Sequence, residues 1–126
     1  MKILLDTHIL LWALVGDQRL SKKGAKLISD PQNEVLVSAV SLWEVGIKHS
    51  LGRITVSPEC LIEAIASTGF DQLAVTFDHC VTVSRLPIIH RDPFDRMLVA
   101  QSLSVPAILM THDQTMSKYG STILLV

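Results

Sequence analysis

Five short, largely apolar runs separated by stretches with helical spacing constrain the fold more than any other feature of this chain. They are "KILL" (2–5), "EVLVS" (34–38), "LAVT" (73–76), "AILMT" (107–111) and "TILLV" (122–126). Strands that face water on one side alternate polar and apolar residues, whereas strands covered on both faces read as near-continuous apolar runs. Between the runs, helices are expected over 7–15, 20–30, 39–52, 57–69, 77–86 and 93–103, with a helical turn near 114–118. In the helix over 39–52, Val40, Trp43, Ile47 and Leu51 share one face and Gly52 stands at its end. Alternating strands and helices predict an α/β protein with a mainly parallel sheet, covered on both sides, in a single domain spanning 1–126.

With 126 residues, the chain has the length of one core. It is 48% hydrophobic and 18% charged, so its charged surface is lean and association with itself or a partner is expected. The formal charge of −1 excludes the bulk positive field of a histone-like nucleic-acid binder. Cys60 and Cys80 form no CxxC pair, which argues against a disulfide framework and a zinc site; they read as small core hydrophobes in a reducing cytosol. Asp6 and His8 interrupt the N-terminal apolar run, and no stretch reaches the roughly 18 apolar residues of a membrane span. A cytoplasmic protein with no membrane partner is expected.

In parallel sheets, ligands gather at the carboxyl ends of the strands, and four acids map to that edge. Asp6 closes the run 2–5, and Asp113 lies two residues past the run 107–111. Glu44 is about a turn and a half into the helix that leaves 34–38, and Asp95 is in the first turn of the helix over 93–103. Each has an ordinary local use. Asp6 suits an N-cap, Glu44 with Ser41 matches a capping box, Asp95 suits the positive end of a helix dipole, and Asp113 suits a turn. The shared location is what singles them out. Clustered anions are tolerated chiefly when a cation neutralises them, and oxygen ligands without Cys or paired His favour Mg²⁺ or Mn²⁺. Such ions prefer phosphate partners, so the chemistry implied is phosphodiester hydrolysis.

The segments "LLDTHILLW", "VSAVSLWEVGIKHSLGRI", "HRDPFDRMLVAQ" and "ILMTHD", in this order, resemble the PIN domain, and within it the VapC-type toxins of bacterial toxin–antitoxin pairs. The resemblance implies a three-layer α/β/α sandwich, Mg²⁺- or Mn²⁺-dependent endoribonuclease activity on RNA, a cognate antitoxin that blocks the site, and a homodimer. Matched by position, Asp6, Glu44, Asp95 and Asp113 are the family's four acids, both catalytic and metal-holding. Asp92 competes with Asp95 for the third place. Asp95 fits better, with Ala100 five residues on, and Asp92 then keeps the N-cap of the helix begun by Pro93.

Thr7, Ser38, Thr111, Arg91 and Arg96 flank the acids and are candidates for contact with substrate, although balancing the acid pair is an equal reading for Arg91 and Arg96. Capping is the role expected of Ser41. His8, His90 and His112 read as surface or packing histidines, because the cation needs no imidazole. Trp12 and Trp43 read as core or partner surface. A catalytically silent PIN-like binding or regulatory module is the alternative function, although no acid has been replaced. A phosphotransfer or haloacid-dehalogenase-like enzyme with Asp6 as nucleophile usually needs a second acid two residues on, where this chain has His8. Nothing in the sequence names the RNA.

Overall fold

The computed structural model describes residues 1–126. Its five strands are β1 (Lys2–Leu5), β2 (Glu34–Ser38), β3 (Asp71–Leu73), β4 (Ile108–Thr111) and β5 (Ile123–Leu125), all parallel and in the order β3-β2-β1-β4-β5. The helices are α1 (Thr7–Val15), α2 (Lys22–Ser29), α3 (Ala39–Ser50), α4 (Pro58–Ala66), α5 (Phe77–Ser84), α6 (Pro93–Ser104) and α7 (Gln114–Ser117).

The sheet is covered on both faces, which is why its strands lack alternation. Ile3, Leu5, Val35, Val37 and Met110 point to one side and pack with Ile9 and Leu10 of α1, Val45 of α3, and Leu61 and Ile65 of α4. Leu4, Leu36 and Leu109 point to the other, against Val40 of α3, Leu98 and Val99 of α6, and Met116 of α7. The period-2 geometry of β1 thus divides a single apolar run between two cores, and the α/β/α architecture is as expected.

The chain builds outward from β1 to β2 and β3, then returns to the other side of β1 to lay down β4 and β5. The order reverses between β1 and β4, and at such a switch point a crevice opens beyond the strand ends. Register puts Leu5 beside both Val37 and Met110, and the Asp6 amide continues the ladder by donating to the Met110 carbonyl at 3.1 Å. The residue after β1 is thereby fixed at the crevice floor.

Four expectations need correction. β3 covers 71–73 rather than 73–76, because Thr76 is recruited as the N-cap of α5. It accepts from the His79 amide at 3.3 Å and donates its own amide to His79 Nδ1 at 3.1 Å. In α3 the stripe Val40, Trp43, Ile47, Leu51 is not the core face: Val40 is buried, but Trp43 is 62% and Leu51 61% exposed. The buried face carries Val40, Ser41, Glu44 and Val45, and Trp43 lies edge-on to Phe94 with ring centroids 5.0 Å apart. The capping serine is Ser38, which accepts from the Val40 amide at 3.1 Å; Ser41 lies fully inside the helix. Cys60 and Cys80 are free thiols on the surface, not core residues. Gly52 ends α3 with φ +69, the left-handed conformation expected there. No helix is long and apolar enough to cross a membrane.

Candidate active site

Asp6 is 4% exposed and serves two ends at once. Its Oδ1 caps α1 by accepting from the Ile9 amide at 2.8 Å, and its Oδ2 accepts from the Thr111 hydroxyl at the end of β4. Thr111 Oγ1 in turn accepts from the Asp113 amide at 3.0 Å, joining the ends of β1 and β4 through one side chain. The local and chemical readings of Asp6 are therefore not rivals, since capping orients the carboxylate.

Glu44, also 4% exposed, is brought in from α3. Thr7 donates to its Oε1 at 2.7 Å, and the Thr7 oxygen lies 3.0 Å from Ser41 Oγ. Lys48, one turn further along α3, pairs with Oε2 at 2.6 Å. This buried polar seam faces α1, and it turns the apolar stripe of α3 outward.

Asp92 and Asp95 divide their tasks. Asp92 Oδ1 caps α6, accepting from the amides of Phe94 at 2.8 Å and Asp95 at 3.3 Å. Asp95 lies within the field of the other acids; its carboxylate accepts no hydrogen bond from the protein, and its nearest cationic group is His90, whose Nε2 is 3.3 Å from Oδ2. Burial, followed by the charge of Asp92 and those of Asp6 and Glu44, pushes the Asp95 carboxyl up to about 7, even with His90 pulling the other way. Burial likewise raises Asp6, over the opposing hydrogen bonds from Ile9 and Thr111. Asp113 differs: burial raises it, but hydrogen bonds from His90 and the Thr115 amide prevail and leave it lowered. Asp6, Glu44 and Asp95 thus share one negative field, a donor set of hard oxygens suited to a divalent cation.

His90 belongs to this site, contrary to the surface or packing role expected of it. Its Nε2 lies 3.0 Å from Asp113 Oδ2 and 3.3 Å from Asp95 Oδ2, and the ligand atoms of these three residues fall within 4.8 Å of one another. The available signal was its position two residues before the cap of α6, where a turning loop presses a ring against the first helical turn. His112, by contrast, approaches the Val126 carbonyl at 2.7 Å, and His8 is exposed beside Trp12.

The flanking candidates separate by burial. Thr7, Ser38 and Thr111 are buried, and their hydroxyls serve Glu44, the α3 cap and Asp6 rather than an outside ligand. Arg96 is spent on the fold: Nη1 donates to the Pro87 carbonyl at 2.9 Å and the Tyr119 hydroxyl at 3.2 Å. Its Nη2 reaches the carbonyls of Val83 at 3.2 Å and Leu86 at 3.4 Å. A lysine has no fork to span these acceptors. Arg96→Lys is expected to cost about 1–3 kcal/mol in urea unfolding, and an unchanged midpoint would contradict this clamp. Arg91 is exposed and makes no ion pair or hydrogen bond. Unforeseen in the sequence, Lys48, Arg53 and His8 line a cleft of about 290 Å³ beside Thr7.

Asp6, Glu44, Asp95 and Asp113, from four separate segments, stand about the carboxyl ends of β1 and β4, beside the switch point of a doubly covered parallel α/β sheet. The family model for the PIN domain matches residues 3–121, and the chain belongs to the PIN domain family. No curated protein matches it. Among solved structures it is similar to the VapBC2 structure from Rickettsia felis, bound to a DNA fragment from its promoter, with TM-score 0.74 and 14% identity over 100% of this chain and 98% of the other. VapBC-1 from nontypeable Haemophilus influenzae gives TM-score 0.67 and 23% identity over 94% and 92%. A toxin–antitoxin complex from Klebsiella pneumoniae gives 0.66 and 18% over 97% and 95%. At these identities the likeness establishes a common fold.

Proposed function

We propose that this protein is a Mg²⁺- or Mn²⁺-dependent endoribonuclease of VapC type, the toxin of a toxin–antitoxin pair. The observation that carries this reading is Asp95: its Oδ1 takes no hydrogen bond from the protein, while burial, followed by the negative charges of Asp92, Asp6 and Glu44, raises its proton affinity. Such a carboxylate is poised for a cation. Asp6, Glu44 and Asp95 would hold it, with Asp113 on the rim. When bound, the ion supplies Lewis-acid stabilisation of the charge that develops on a phosphoryl oxygen during hydrolysis.

The protein's own groups do the rest. The Ile9 amide and Thr111 fix Asp6, and Thr7 and Lys48 fix Glu44, so both carboxylates are oriented before substrate arrives. Arg91 and Arg53 offer positive charge to an RNA backbone despite the overall charge of −1. The kinship with toxin–antitoxin complexes supports an antitoxin partner, and the outward stripe Trp43, Ile47, Leu51 supports a homodimer. The cytoplasm is where an RNA substrate would be met.

Induced alone in a bacterial host, the chain is expected to arrest growth, and Asp6→Asn at equal soluble level is not. Undiminished growth with folded wild-type protein present would contradict the toxin role.

A further inference from the structure

We propose that His90 takes the place of a second cation, so that the acid cluster binds one divalent ion per chain, and Asp113 anchors His90 rather than the ion. The inference rests on the metal-dependent reading above and adds to it the ion count and the task of the fourth acid.

The tautomer of His90 decides the matter. The Asp92 amide donates to Nδ1 at 3.1 Å, which uses the lone pair on that nitrogen. Nδ1 therefore carries no proton, and in the neutral ring the proton must sit on Nε2. In the charged ring Nε2 is protonated as well, so the conclusion does not depend on titration. Nε2 is a donor in either form and has no lone pair for a metal. It points between Asp113 Oδ2 at 3.0 Å and Asp95 Oδ2 at 3.3 Å.

Paired catalytic ions stand about 3.5–4 Å apart and need carboxylate oxygens on both sides. Here the oxygens of Asp95 and Asp113 that would face a second ion already face an N–H. Asp113 is further committed, because its Oδ1 caps α7 by accepting from the Thr115 amide at 2.8 Å. The His90 ring is held by the Asp92 amide, and its backbone is anchored as well. Its backbone amide donates to the Tyr119 hydroxyl at 2.9 Å, and Tyr119 is tied to Arg96 at 3.2 Å. A second ion would have to turn the ring, break the bond from the Asp92 amide and uncouple Asp113. The other oxygen of Asp95 accepts no hydrogen bond from the protein and is left for a single ion.

The test is the Mn²⁺ stoichiometry of the full chain at pH 8, by isothermal titration and by the electron paramagnetic resonance signal of bound Mn²⁺. One ion per chain is expected for the wild type and two for His90→Ala. His90→Gln, whose amide can still donate to the same oxygens, is expected to return to one. Asp113→Asn is expected to keep Mn²⁺ affinity within about threefold of the wild type, a readout that stands even if His90→Ala does not fold. Two ions in the wild type, one in both the wild type and folded His90→Ala, or a tenfold affinity loss in Asp113→Asn would each overturn the inference. No bound Mn²⁺ in the folded wild type would overturn the metal-dependent reading and this inference together, whereas two ions would overturn the inference alone.

Discussion

Asp95→Asn is expected to lose metal-dependent RNA cleavage by at least about 100-fold while gaining stability in the absence of metal. Asparagine keeps the shape of the side chain but supplies no anion for a cation. It also removes the cost of burying that anion, to which the charges of Asp92, Asp6 and Glu44 add. In the folded chain the carboxyl titrates at about 7 against an ordinary 3.8. Between those values the native state holds a proton that the unfolded state has released, so stability falls as pH rises, and above 7 the full penalty remains. At about 1.4 kcal/mol per pH unit the penalty has a ceiling of about 4–5 kcal/mol. Urea unfolding in EDTA should therefore favour Asp95→Asn more at pH 8 than at pH 5. A variant less stable than the wild type at pH 8 would contradict the cost assigned to this buried anion. Retained cleavage would contradict the role of Asp95.

Added Mg²⁺ or Mn²⁺ is expected to raise the unfolding midpoint markedly at pH 8. A ligand present at 100 times its Kd and bound only by the native state contributes about 2.7 kcal/mol, which for a chain of this size corresponds to roughly 10 °C. Protons compete for Asp95 below pH 7, so the metal concentration needed for the same shift should rise by about tenfold per unit as pH falls. Differential scanning at pH 8 and pH 5.5 reads both effects. No shift at millimolar metal and pH 8, or a shift equally large in Asp95→Asn, would show that the acids do not hold the ion.

Strand ends and helix starts were legible because they are local. Asp6 is the residue after β1 whatever else the chain does, and Pro93 after Asp92 marks the start of α6 from sequence alone. The placement of Asp95 followed, since a first-turn residue must lie near the helix's own entry. The facing of α3 was not legible: periodicity shows that Trp43, Ile47 and Leu51 align, but not that the opposite face is held inward by Thr7 bonding Glu44 across 37 residues. Arg96 looked like a phosphate ligand because its partners are backbone carbonyls, which have no signature in sequence. His90 was missed for a related reason. Its bond to Asp113 spans 23 residues, and a histidine sought only as a metal ligand is overlooked when it hydrogen-bonds a carboxylate instead.

The most direct measurement is cleavage of total cellular RNA by the purified, partner-free protein in EDTA, Mg²⁺ or Mn²⁺, beside Asp95→Asn. Discrete fragments that require the metal and vanish in the variant are expected. Intact RNA under every metal condition, from protein shown to be folded and free of any inhibitor, would contradict the assignment of this acid cluster as a nuclease site.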